Sequence, residues 1–540
     1  MRKLIAAAAA VVLASQAPAQ SPSPPKLLVV VSIDQFSADL FDEYRPQFSG
    51  GLARLASGTV FRNGYQAHAV TETCPGHSTL LTGDHPARTG IVTNNWVDQS
   101  IARADKTVYC AEDETQPGTS SSSYKVSPKH LLVPTLGELM KKRWPASRNV
   151  AVSGKDRSAV MMSGHVADQR WYWNGKGFTT DLAAAPVPQV VARFQTALAA
   201  ALAQPRPALQ STPYCQGKAR PVTMESSGKA VGTGQFARAA GDLTAFRASP
   251  EIDGSTLALA AGLVDEMKLG RGSAPDLLSV SLSATDYVGH AYGTEGEEMC
   301  LQLIELDREL GDFLALLDSR GLDYSITLTA DHGGKDVPER ERLAGVAHAI
   351  RVDPALSPAT MGKKLVAQLG LQGPGLLGDS PFGDIYVDRR LSAADQKRLL
   401  AAAVATYRAH PEVEAVFTGE QLAATPLATT APDKWSIIQR SRASYYAGRS
   451  GDFVVVLKKD VTPIANTSGS VATHGSVWDY DRRVPIIFWR PGTTGRTIEH
   501  SIDTVDIMPT LASQIGLQLQ AGSVDGHCLT DVPGAQCTAP

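Results

Sequence analysis

The sequence predicts an α/β fold: a mostly parallel central sheet with helices on both faces, interrupted by inserted loops and a small α/β cap. Three observations predict it. Short apolar runs rich in β-branched residues recur along the chain and alternate with amphipathic helical stretches, the pattern of strands buried on both faces. Acids and imidazoles stand where several of those runs give out, and in such sheets ligands bind beyond the carboxyl ends of the strands. The remaining Gly-, Pro- and Ser-rich segments show no fixed period, which argues against a solenoid or propeller.

In chain order, Arg2 and Lys3 precede an apolar run from Leu4 to Ala14, and Ala17-Pro18-Ala19 offers a small-x-small cleavage pattern. This reads as a signal peptide over residues 1–19, too short to span a bilayer, so a periplasmic or secreted protein without a stable membrane anchor is expected. Strands are predicted over 27–34, 150–154, 277–283, 325–330 and 485–489. Helices are predicted over 135–143, 189–202, 255–269, 297–317, 393–408 and 505–515. The catalytic domain is expected to fill 20–540. Insertions are expected at about 111–128, polar and Ser-rich, and 205–250, rich in Gly, Pro, Ser and Ala. A third, 381–468, reads as the cap after a Gly/Pro-rich run at 370–384.

Composition is that of a globular protein, 43% hydrophobic and 19% charged. A net charge of -3 lacks the basic excess of nucleic-acid binders, so no nucleic-acid partner is expected. A monomer is expected. Of the six cysteines, Cys528 and Cys537 close a short C-terminal loop and form the safest pair; the other four, Cys74, Cys110, Cys215 and Cys300, are not paired by sequence. No Cys-x-x-Cys is present, which disfavours a zinc ribbon.

The stretch Thr71-Glu72-Thr73-Cys74-Pro75-Gly76-His77 follows a β-like run and opens an apolar helical one. Pro75 suits the first turn of a helix, which sets Thr73 just ahead of the helix N-terminus, where free amides and the helix dipole attract an anion. A threonine hydroxyl is a weak nucleophile at neutral pH and no base lies beside it, so its natural activator is a metal ion. Candidate ligands stand at strand ends: Asp34 after the first, Asp286 and His290 after a later one, Asp331 and His332 after the next, and His474 ahead of the 485–489 strand. Each alone reads equally as a turn, a cap or an ordinary histidine. Together, three Asp and three His gathered at one rim make a ligand set for two zinc ions. His68, His77, His85, His130, His165, His348 and His410 read as structural, with His77 supporting the nucleophile turn.

On these residues the chain resembles the alkaline phosphatase superfamily, in particular the periplasmic phosphate-irrepressible alkaline phosphatases with a Thr nucleophile, related to nucleotide pyrophosphatase/phosphodiesterases. The resemblance runs from the first strand to Asp503-Thr504-Val505-Asp506-Ile507-Met508-Pro509-Thr510-Leu511. It implies that Asp34, Asp331, His332 and Thr73 hold one zinc and that Asp286, His290 and His474 hold the other. It further implies that Asn94 binds phosphate and that Lys155 and Arg157 are the Lys-x-Arg pair of the monoesterase branch. The chain lacks the sulfatase pattern Cys-x-Pro-x-Arg at Cys74, and no magnesium cluster of the Ser-type phosphatases is legible.

The implied activity is hydrolysis of small-molecule phosphate monoesters through a covalent phosphothreonine, releasing inorganic phosphate. A phosphodiesterase or nucleotide pyrophosphatase with the same metals is the first alternative, because a second ester substituent would replace an oxygen that Lys155 and Arg157 hold. A secreted protein that binds metal or phosphate without turnover is the second.

Overall fold

A computed structural model describes residues 23–537. The expected signal segment 1–19 lies outside the described residues. Ten strands form the central sheet: β1 (Leu27–Ile33), β2 (Thr59–Tyr65), β3 (Asn149–Ser153), β4 (Gln169–Trp173), β5 (Phe178–Thr179), β6 (Asp276–Leu282), β7 (Tyr324–Thr329), β8 (Arg483–Trp489), β9 (Arg496–Ile498) and β10 (Ile502–Asp503). Their order is β9-β2-β8-β7-β1-β6-β3-β4-β5, with β10 beside β2.

Every residue of β1 is buried, because it lies mid-sheet between parallel β6 and β7 with both faces covered. The helices that bear on the site are α1 (Thr73–Thr82), α2 (Asp156–Ser163), α3 (Glu251–Met267), α4 (Ala284–Tyr292), α5 (Glu297–Ser319) and α6 (Ile507–Gln514). Helices α1 and α2 pack together, as do α3 and α5. Most of the sheet is parallel, as predicted. The exceptions are β5 and β8; β8 runs antiparallel to both β7 and β2. That reversal matters for the site, since β8 begins at the rim where β1, β2, β6 and β7 end.

A second, antiparallel sheet joins Leu376–Leu377, Gly383–Val387, Phe453–Leu457 and Val413–Thr418. Its own core includes Met361 and Leu365, so the helix Pro358–Leu369, ahead of residue 381, packs into it. The Gly/Pro-rich run 370–384 is therefore a turn region inside this unit and carries one of its strands.

Disulfides join Cys74 to Cys110, Cys215 to Cys300 and Cys528 to Cys537. The second staples the 205–250 excursion to α5, and the third closes the C-terminal loop. His85, just beyond α1, sits between Asp503 (2.8 Å) and Asp525 (3.1 Å), which ties the C-terminal segment to the end of that helix. Among the described residues no helix is long and apolar enough to cross a membrane.

Candidate active site and metal centre

Residues far apart in sequence meet at the rim where β1, β2, β6 and β7 end. Asp34 follows β1, and its backbone N–H still bonds the last carbonyl of β6, Leu282, at 2.9 Å. The next residue, Gln35, takes φ of 64°, a left-handed conformation uncommon outside glycine, and its N–H donates to Asp331 Oδ1 at 3.2 Å. Asp331 and His332 follow β7. Asp286 and His290 lie one turn apart on α4, so both side chains project from one helix face. His474 reaches the same rim because the β8 that follows it is reversed.

Two groups result. The ligand atoms of Asp34, Asp331 and His332 lie within 4.8 Å of one another, as do those of Asp286, His290 and His474. The groups abut: the His332 and His474 rings stack with centroids 3.6 Å apart, and Lys155 Nζ bridges Asp34 Oδ2 (2.6 Å) and Asp286 Oδ2 (2.5 Å).

Each of the three imidazoles is oriented in the same way. Nδ1 of His290 donates to the Ala472 carbonyl, that of His332 to Gly333 and that of His474 to Thr71, at 2.8, 2.9 and 2.8 Å. With the proton on Nδ1, the Nε2 lone pair of each ring points into the site. His290 Nε2 and His474 Nε2 then face each other at 3.2 Å, each 3.2 Å from Asp286 Oδ1. Lone pairs facing one another and a carboxylate need a cation among them. Asp34 Oδ1, Asp286 Oδ1 and His332 Nε2 are buried without a hydrogen-bond partner, an arrangement that is costly unless such an ion satisfies them. Burial pushes the His332 imidazole down to about 3, which keeps it in the neutral form a metal requires. Burial, reinforced by the neighbouring Asp331 carboxylate, pushes Asp34 well above the usual carboxylate range. The donor set of imidazoles and carboxylates fits zinc.

Thr73 is the first residue of α1, one place further into the helix than its sequence reading, because the helix ladder already begins with Gly76 N–H donating to Glu72 O at 2.9 Å. Its hydroxyl oxygen lies 3.4 Å from Lys155 Nζ and 3.4 Å from Arg157 Nη2. Burial opposes the charge on Lys155, but Asp286 and Asp34 outweigh it and hold the ammonium above its ordinary range. Asn94 Oδ1 accepts the Cys74 N–H at 2.8 Å, which leaves its Nδ2 as a donor beside the start of α1. All ten residues singled out in the sequence thus converge on one rim.

The supporting residues were not legible in advance. Glu72 Oε2 accepts from the Asn94 N–H and the Thr93 hydroxyl, both at 2.7 Å, and so holds the Asn94 loop against the start of α1. Tyr109 OH donates to Asp156 Oδ1 at 2.7 Å and accepts from Arg157 Nη1 at 3.5 Å, steadying the guanidinium. The Cys74–Cys110 bridge ties this neighbourhood to the residue after Thr73. A cysteine directly beside Thr73 was the available signal, but it needed its partner to be read. His77 supports the turn, with Nδ1 2.9 Å from the Thr73 carbonyl and 3.0 Å from Asp331 Oδ2.

Gly76 lets α1 approach β7 this closely: a Cβ there would lie 2.1 Å from the Asp331 backbone oxygen. Both partners are backbone, so neither can rotate away. Gly76→Ala is expected to destabilise the protein by roughly 1–3 kcal/mol and to lower hydrolytic activity, measured by thermal denaturation alongside a phosphatase assay.

Residues 28–477 match the sequence profile described as "Type I phosphodiesterase / nucleotide pyrophosphatase". The chain is 51% identical over 517 residues to alkaline phosphatase PhoK of Sphingomonas sp., with 95% of this chain and 92% of that one covered. It is 47% identical over 540 residues to alkaline phosphatase PhoD of Zymomonas mobilis subsp. mobilis, covering 98% and 92%. Its structure superposes on the crystal structure of alkaline phosphatase PafA with a TM-score of 0.81 at 25% identity, covering 95% of this chain and 100% of that one. The chain belongs to the type I phosphodiesterase / nucleotide pyrophosphatase family, within the alkaline phosphatase superfamily.

Proposed function

We propose that the chain is an exported alkaline phosphatase that hydrolyses small-molecule phosphate monoesters through a phosphothreonine on Thr73. The observation that carries this reading is the gathering of two ligand groups at one rim, bridged by a lysine that, with Arg157, reaches the Thr73 hydroxyl. Asp34, Asp331 and His332, with Thr73, would hold one zinc ion, and Asp286, His290 and His474 the other. When bound, the two ions supply Lewis acidity, favouring the alkoxide of the nucleophile and offsetting charge on the departing oxygen.

The protein's own groups do the rest. Lys155 and Arg157, each 3.4 Å from Thr73 Oγ1, favour loss of its proton by placing positive charge beside the oxygen. As the hydroxyl oxygen attacks phosphorus and the alcohol departs, the same two side chains hold the nonbridging oxygens, Arg157 through its planar fork and Lys155 as a point charge. Asn94 Nδ2 adds a neutral donor. Water then cleaves the phosphothreonine, returning the hydroxyl and releasing inorganic phosphate. Export rests on the Arg2-Lys3 and apolar N-terminal pattern.

A diester has one fewer free oxygen for Lys155 and Arg157 to hold. Replacing both by alanine is therefore expected to lower kcat/KM on a monoester by about 10²-fold or more, the loss of two charge-assisted contacts at roughly 1.5–3 kcal/mol each, while diester hydrolysis falls much less. Steady-state rates on p-nitrophenyl phosphate and bis-p-nitrophenyl phosphate test this, and equal losses on both substrates would count against the monoesterase reading.

A further inference from the structure

Lys155 and Arg157 also line a cavity of about 710 Å³ whose wall contains none of the ligand residues. That volume is within the range of small-molecule sites. Its wall is unevenly charged. Of the two acids that line it, Asp156 accepts from Tyr109 OH and Tyr124 OH, both at 2.7 Å, and Asp181 pairs through Oδ2 with Arg170 at 2.5 Å, its Oδ1 being the one buried carboxylate oxygen of the wall without a partner among the described residues. Two of the basic residues are not paired in this way. Arg247 and Lys125 line the cavity, and among the described residues neither pairs with a carboxylate; Lys125 has only a 3.4 Å contact to Gln116 Oε1.

Two buried donors in the lining residues, Arg157 Nε and Trp173 Nε1, have no hydrogen-bond partner. Arg247 is held in place by an aromatic ring: its Cζ lies 4.8 Å from the centroid of Tyr287, the residue after Asp286, and the same ring lies 5.0 Å from Lys155 Nζ. Unmatched groups in the cavity wall are thus mostly donors and cations, and the cavity shares Lys155 and Arg157 with the reaction centre.

We propose that this cavity is a second anion subsite, in which Arg247 and Lys125 bind a further phosphate carried on the leaving part of the substrate, so that bisphosphorylated small molecules are preferred. The inference rests on the phosphomonoesterase reading above and adds the substrate class. The scissile phosphate is held on the Thr73 side of the Lys155–Arg157 pair; the second phosphate lies beyond it, with the intervening carbon skeleton against Tyr287.

Initial rates on fructose 6-phosphate and fructose 1,6-bisphosphate compare one sugar with and without the second phosphate. The wild-type protein is expected to favour the bisphosphate in kcat/KM by about fivefold or more, the size of a partly exposed charge pair, mainly through a lower KM. Arg247→Ala should remove that preference and Arg247→Glu should reverse it, while fructose 6-phosphate turnover stays at the wild-type rate in both variants. Equal kcat/KM for the two sugars in the wild-type protein, or a preference that survives in both variants, would overturn the subsite while leaving the phosphatase reading intact. Failure to hydrolyse either sugar phosphate would overturn both.

Discussion

Thr73→Ala is expected to lower kcat on phosphate monoesters by about 10⁴-fold or more, the scale of loss when a nucleophile is removed from a site whose other parts remain. No neighbour can substitute. Cys74 is committed to its disulfide, and Ser78 lies a full turn further into α1, its hydroxyl donating to the Pro75 carbonyl at 2.8 Å. Thr73→Ser keeps the oxygen and should retain much of the activity. Rapid-quench labelling with a ³²P-monoester checks both variants: the wild-type and Ser proteins should trap a phosphorylated residue at position 73, and the Ala protein none. Near-normal turnover by the Ala protein would remove Thr73 from the mechanism.

Metal removal should have an effect of comparable size on activity and a second one on stability. Asp34, Asp286 and Asp331 are at most 2% exposed and crowd one rim, and Lys155 alone bridges two of them. Without bound cations the folded state must hold that charge against repulsion and desolvation. Dialysis against a chelator is expected to bring hydrolysis to background and to lower the melting temperature. An ion present at about 1,000 times its dissociation constant contributes about 4 kcal/mol of stability, so two ions make the shift large. Added zinc should restore both properties. Calorimetry and activity assays before and after dialysis measure this; an unchanged melting curve with unchanged activity would exclude a metal centre here.

The parts of this site legible in sequence were those that local rules govern. Asp34 and Asp331-His332 stand directly after apolar strands, and Asp286 and His290 have the i, i+4 spacing that puts both on one helix face. His474 was different. Its placement depends on β8 running antiparallel, a pairing no local pattern encodes, and a strictly parallel sheet would have put it at the far edge. Glu72 and Tyr109 were illegible for a related reason: a glutamate in a turn and a buried tyrosine are ordinary until tertiary contacts give Glu72 the Asn94 amide and Tyr109 the Arg157 guanidinium. The pairing of Cys74 with Cys110 likewise needed the fold. The start of the second sheet's core was equally hidden, because nothing in the Gly/Pro-rich composition of 370–384 marks Leu376 as a residue that packs inward.

The central claim is that two metal ions flank the Thr73 hydroxyl. An anomalous difference map collected at the zinc absorption edge from crystals of the active protein tests it most directly. The account predicts two peaks beside Thr73, one among Asp34, Asp331 and His332 and the other among Asp286, His290 and His474. An active protein with no peak in either group, or with its zinc bound elsewhere, would contradict it.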